Sequence, residues 1–84
     1  MMITISAVNY LGTSVSVLMD DETWQDALLP AELLDDEVGD NASRSSRTSW
    51  VLENQQAIKR AISQKKHGLA VRAPFHRIVL LEGN

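Results

Sequence analysis

The chain contains no cysteine. Disulfide staples, thiolate nucleophiles and cysteine-based zinc sites are therefore excluded. Histidine is scarce as well: His67 and His76 are the only two, too few for a histidine-built metal site. The four glycines, Gly12, Gly39, Gly68 and Gly83, fall one per turn, so there is no glycine-rich phosphate loop, and no serine sits in a G-x-S-x-G context. Apolar runs reach only about four residues, far short of a membrane span. The opening MMITISAVNY lacks a basic stretch and a long apolar run, so no signal peptide and no membrane partner are expected, and a cytoplasmic location is the default.

The most uneven shortage is of positive charge. No lysine or arginine precedes Arg44, and all eight basic residues lie between Arg44 and Arg77. The stretch DDETWQDALLPAELLDDEVGD, from Asp20 to Asp40, carries all the acidic residues except Glu53 and Glu82. The formal net charge of −3 thus conceals an acidic half followed by a basic one. Such segregation bears on partners and encounter rates rather than on fold.

The 84 residues read as a single small domain, 1–84, with a flexible polar loop at about 39–48. A chain of this size buries only about 60–65% of its unfolded surface. The apolar fraction of 44% still suffices for a core, so the composition is globular rather than disordered.

Met2 to Met19 reads as a β-hairpin. Ile3, Ile5 and Ala7 alternate with Thr4 and Ser6, and Val15, Val17 and Met19 alternate with Ser14, Ser16 and Leu18, around a turn at Leu11-Gly12. Period two gives one apolar face and one small polar face. At Asp20 the period changes. Asp20 or Asp21 can cap a helix, with Trp24, Ala27 and Leu28 on one face, and carboxylates suit the positive end of the helix dipole. Pro30 lacks an N–H and ends this helix near Leu29. A second helix begins at Ala31, buries Leu33, Leu34 and Val38, and stops at Gly39. After the loop, with Ser46 or Thr48 as cap, Ser49 to Lys66 reads as a helix with Trp50, Val51, Asn54, Ala57, Ile58, Ala61 and Ile62 on one stripe. Gly68 ends it. The rest is extended, with Phe75 to Leu81 as the stronger strand, a short extra one at Leu69 to Arg72, and Ile78 to Leu81 apolar on both faces like a central strand.

The fold class is accordingly α+β: a small antiparallel sheet, built from the N-terminal hairpin and the C-terminal strand, packed against two or three helices in the order β-β-α-α-β. Trp24 and Trp50 are read as core anchors. His67, among lysines at a helix stop, and His76, beside Arg77 in a strand, have no nucleophile to serve. Catalysis, a cofactor and a metal are not expected, and the spacing of Asp35-Asp36-Glu37 is not that of a calcium loop.

Function is expected in charged surfaces: a non-enzymatic protein-binding regulator or inhibitor of the antitoxin or phage-encoded inhibitor type. Carboxylates on helices can imitate phosphate spacing and engage a partner protein with a basic surface. The expected interface comprises Asp20, Asp21, Asp26, Glu32, Asp35, Asp36, Glu37 and Asp40. Reversing Asp35, Asp36 and Glu37 is expected to abolish binding and spare the fold. Two alternatives come from other classes. In one, acidic and basic halves of different copies meet, as in a homodimer or larger self-assembly. In the other, Arg44, Arg47, Lys59 and Arg60 contact nucleic acid. For the latter, the strand Ser14 to Leu18, the acidic Asp20-Asp21-Glu22, the turn Ser43-Arg44-Ser45-Ser46 and the helix with Trp50 and Ala57-Ile58 together resemble a ribbon-helix-helix antitoxin or repressor over roughly residues 13–62. That resemblance implies a dimer whose strand enters the DNA major groove and assigns base contact to Ser14 and Ser16, or Thr13. Against it stand a preceding strand, Ile3 to Val8, and a reading strand without Arg, Lys, Asn or Gln.

Overall fold

In a computed structural model, which describes residues 3–40 and 42–81, the alternating N-terminal residues form β1 (Ile3–Asn9) and β2 (Gly12–Leu18). They pair antiparallel, Ile3 opposite Val17 and Ile5 opposite Val15, with a register shift between Ile5 and Ala7. Inward residues Ile3, Val15, Val17 and Met19 are buried, while Thr4 and Ser6 face out. The expected hairpin start at Met2 and the chain end at 82–84 lie outside the described residues.

The turn itself is Tyr10-Leu11, where the Asn9 carboxamide oxygen accepts from the Leu11 N–H at 2.9 Å. Gly12 is the first residue of β2, and its φ of +139° lies where side chains are rarely tolerated. A Cβ there would stand 2.0 Å from the Leu29 carbonyl oxygen and 2.9 Å from the Ala31 nitrogen. The hairpin tip is also tied to the junction after the sheet by an Ala31 N–H donating to the Leu11 carbonyl at 3.0 Å.

The helix expected from Asp20 to Leu29 does not form. Asp20–Thr23 make a turn, and Trp24–Pro30 is a third strand, β3, paired antiparallel with β2. Its alternation puts Ala27 and Leu29 in the core and Trp24 and Asp26 on the outside. Burying two residues against the sheet's own core outweighs the weak helical spacing of Trp24, Ala27 and Leu28. Pro30 then does what its chemistry requires. It supplies the extended residue (φ −60°, ψ 151°) that precedes α1 (Ala31–Val38), and Gly39 terminates that helix.

The connecting loop is shorter than expected. Ser43, not Ser46 or Thr48, caps α2 (Arg44–Glu53) by accepting from the Ser46 N–H. The long helix is also divided. Asn54 (φ −106°, ψ 16°) separates α2 from α3 (Gln55–Lys66), and its side chain donates back to the Trp50 carbonyl at 2.8 Å. The predicted stripe nonetheless faces inward, with Val51, Ile58, Ala61 and Ile62 buried. Gly68 follows, and Leu69 N–H closes the helix end on the Gln64 carbonyl.

Residues 69–72 form no strand. Phe75–Arg77 make a single 3-10 turn, and only Val79–Leu81 form β4. This strand is not central: the sheet order is β1-β2-β3-β4, so β4 is an edge. Ile78 is buried beneath the helices, while Val79 and Leu81 point to the opposite face. The mixed class expected from the sequence holds: an antiparallel sheet containing the N-terminal hairpin and the C-terminal strand, with three helices on one side. One core joins them, with Trp50 and Phe75 stacked at its margin, 5.9 Å between ring centroids.

Candidate protein interface

The acidic stretch is distributed by this architecture over three places. Asp20, Asp21 and Glu22 lie in the turn between β2 and β3; Asp26 lies on the outer face of β3; Glu32, Asp35, Asp36, Glu37 and Asp40 lie on and just after α1. The eight acidic residues expected to act together therefore do not share one face.

Several are already engaged within the chain. Asp20 pairs with Lys59 at 2.8 Å and Asp35 with Arg47 at 2.6 Å, while Asp36 pairs with Arg77. Acidic and basic halves meet across α1, α2, α3 and the C-terminal segment, inside one molecule. The hydrogen bond that Arg77 donates to the Asp36 carboxylate holds the guanidinium pKa above its ordinary value. Arg47 also donates to the Ala42 carbonyl at 3.3 Å, which ties the loop after α1 to α2. Glu32, Glu37 and Asp40 are exposed.

Asp21 has a different environment. Its carboxylate accepts from the Thr23 hydroxyl at 2.6 Å and from the Thr23 N–H at 3.1 Å. These two hydrogen bonds, hydroxyl first, hold its pKa below the ordinary aspartate value, with Lys66 adding a weaker pull. Next to it, Glu22 adopts a left-handed backbone, φ 66°.

The same internal pairing reduces the nucleic-acid alternative. Arg47 and Lys59 are partnered, whereas Arg44 and Arg60 are exposed. Arg60 lines an open groove of about 660 Å³ with Arg72, between α3 and Phe75. Strand β2 is hydrogen-bonded on both edges, by β1 and by β3, so it has no free edge for the intermolecular ribbon of a ribbon-helix-helix dimer. Thr13 is fully buried and cannot meet a base. As for the histidines, His67 Nδ1 contacts the Ser63 carbonyl at 2.7 Å, and His76 is exposed in the 3-10 turn. Among the described residues no group of three His, Asp or Glu could hold a metal ion, and no helix is long and apolar enough to cross a membrane.

What the sequence reading missed is the outer face of the sheet. All three helices pack on one side, so among the described residues nothing covers the other side. Cross-strand register sets Leu18 opposite Trp24, Asp26 opposite Leu81, and Leu28 opposite Val79. Trp24 is 53% exposed, Val79 47% and Leu81 36%. Trp24 is thus not the core anchor expected, whereas Trp50 packs against the core. Toward β1 the face changes character to hydroxyls, Thr4, Ser6, Ser14 and Ser16. The Ser16 hydroxyl donates to Asp26 at 2.6 Å, and Ser6 and Ser16 hydroxyls lie 3.4 Å apart. The missed signal was present as alternation from Trp24 to Leu29, which apolar residues on both faces concealed. Comparison with family models, curated proteins and solved structures finds no match for this chain.

Proposed function

We propose that this protein is a non-enzymatic protein-binding regulator or inhibitor. Its docking surface is the bare face of the sheet together with the acidic turn beside it. The partner presents a basic surface with apolar anchors. One observation carries this reading: an exposed tryptophan, Trp24, stands with Val79 and Leu81 around the carboxylate of Asp26 on a face that no helix covers. Contiguous exposed apolar surface edged by polar groups is characteristic of interaction sites, and tryptophan is the residue most enriched among binding hot spots. Of the acidic residues expected at the interface, Asp21 and Asp26 belong to this surface. Asp20, Asp35 and Asp36 are instead engaged in ion pairs within the chain.

The test is site-specific photo-crosslinking in extracts of the source cells. A photoreactive residue with a large aromatic side chain at position 24, which keeps a ring where Trp24 stands, is expected to form a discrete protein adduct that Asp26→Lys removes. The same residue at Glu53, exposed on α2, is expected to form none. Identical adducts at both positions, or none at position 24, would refute the reading.

A further inference from the structure

We infer that the occupant of the bare sheet face is a basic amphipathic helix of a partner protein. The inference rests on the reading above and adds the chemistry of the partner. Three features of the face lead to it.

The first is charge. Among the described residues the one charged side chain on this face is Asp26, and it stands within the apolar strip rather than at its rim. Ser16 supplies one hydrogen bond. A carboxylate covered by apolar surface is strongly disfavoured unless a cation or further donors reach it. The occupant therefore brings a lysine or arginine to the middle of its apolar side. The flanking turn, with Asp21 and Glu22 exposed, selects for the same sign.

That requirement argues against a second copy of this chain. Two such faces laid together bring hydroxyls, apolar side chains and a second Asp26, but no cation, to each Asp26. It equally argues against an acidic partner.

The second feature is dimension. Trp24 and Leu28 are four residues apart on β3, about 13 Å at the usual rise of a strand. That matches residues about eight apart along one side of a helix, about 12 Å at about 1.5 Å per residue. Strands β2, β3 and β4 together are about 10 Å wide, the diameter of a single helix.

The third is the fold's own precedent. The opposite face of this sheet is packed against helices, which shows that a helix fits its twist, and the apolar residues left on the second face exceed what a solvated face of an antiparallel sheet requires. The face offers Leu18, Trp24, Leu28, Val79 and Leu81 to such a helix.

The experiment uses the full chain, isotope-labelled, and three synthetic peptides of equal length, about eighteen residues, or five helical turns. One is an amphipathic Leu/Lys helix, one an amphipathic Leu/Glu helix, and one a Lys/Ser peptide without an apolar side. The Leu/Lys peptide is expected to shift the amide signals of Leu18, Trp24 to Leu28 and Val79 to Leu81, leaving those of α3 in place. In a Trp50→Phe background it is expected to move Trp24 emission to the blue. Asp26→Lys and Trp24→Ser are each expected to weaken it about tenfold or more, with the helix signals of both variants unchanged as the control for folding. The other two peptides are expected not to bind. Leu/Glu binding at the same amides would overturn the basic partner and leave the sheet-face interface standing. Leu/Lys binding with shifts confined to α1 or α3 would overturn both. Concentration-dependent shifts on the sheet face without peptide would identify a second copy as the occupant and overturn the inference. Absence of any Leu/Lys binding would overturn it too.

Discussion

The Ser16 hydroxyl donates a 2.6 Å hydrogen bond to the carboxylate of Asp26, its cross-strand neighbour on the bare face of the sheet. The bond fixes where the carboxylate points. It does so among exposed groups, where a hydrogen bond contributes at most about 1 kcal/mol. Ser16→Ala is therefore expected to lower stability by that much or less in urea unfolding. Asp26→Asn keeps an acceptor for Ser16 and removes the charge. It is expected to change stability by less than about 0.5 kcal/mol while strongly reducing crosslinking at position 24. A large loss of stability with Asp26→Asn would mean that the carboxylate serves the fold.

Among the described residues Thr13 is the one fully buried polar residue, and its hydroxyl has no hydrogen-bond partner. A buried unsatisfied hydroxyl costs about 1–3 kcal/mol. Valine has the same branched shape without that oxygen. Thr13→Val is expected to stabilise the protein by about 1 kcal/mol, which for a domain of this size raises the melting temperature by about 4–8 °C. A lower melting temperature would show that the hydroxyl is satisfied in solution.

Gly12 tests the close approach of the hairpin to the β3–α1 junction. Its Cβ position is 2.0 Å from backbone, not from a side chain that can swing away. Its positive φ adds strain of its own, about 1–3 kcal/mol. Gly12→Ala is expected to cost more than about 3 kcal/mol, a large fraction of the stability of so short a chain. Thermal unfolding should show a fall of well over 10 °C at about 4–8 °C per kcal/mol.

How legible the fold was depended on whether a strand had one apolar face or two. β1 and β2 keep apolar residues on the core side and hydroxyls on the other, so period two is plain in Ile3 to Leu18. In β3 the core side carries Gln25, Ala27 and Leu29, and the outer side Trp24, Asp26 and Leu28. Apolar residues on both sides erase the alternation and leave Trp24, Ala27 and Leu28 at helical spacing. The residues that make β3 hard to read, Trp24 and Leu28, are those that place apolar side chains on its outer face. Pro30 and Gly39 bounded α1 from sequence alone because their backbone chemistry acts locally. Segregated charge leaves room for the basic helix to lie beside the acidic segment within one molecule, but the individual pairs were not legible: Asp36 and Arg77 are far apart in sequence, and only the turn of the chain through α2 and α3 brings them together.

Asp21 offers a pH-dependent signature. Hydrogen bonds from Thr23 favour its charged form, so its folded pKa lies below the unfolded one. Any stability it contributes is present above the unfolded value and is lost as pH falls through the lower, folded value. Asp21 thus keeps its charge at pH values where an ordinary aspartate has begun to protonate. Thr23→Ala removes the hydroxyl, the larger cause, and is expected to raise the Asp21 pKa toward the ordinary value. A titration of side-chain carboxyl carbon shifts by NMR reads this directly. An unchanged pKa would mean that the N–H alone sets it.

The α1 carboxylates separate binding from folding. Arg47 is only 17% exposed and its partner Asp35 35%, whereas the Arg77–Asp36 pair is 39% and 60% exposed. Breaking a partly buried pair by reversing one member leaves a guanidinium without its partner beside a like charge, which costs more than losing a surface pair of about 0–1 kcal/mol. Asp35→Lys is therefore expected to cost about 2 kcal/mol, Asp36→Lys under about 1 kcal/mol, and Glu37→Lys, exposed on α1, close to nothing. Simultaneous reversal of all three is expected to cost up to about 3 kcal/mol, a sizeable part of the stability of so short a chain, so a loss of binding in that variant would be mixed with a loss of stability. Glu37→Lys is the clean probe of that face, and with the interface on the sheet it is expected to leave crosslinking at position 24 unchanged. Urea unfolding of the three single variants decides the order. Equal, negligible costs would show that the internal pairs carry no stability and would return the α1 face to consideration as the interface.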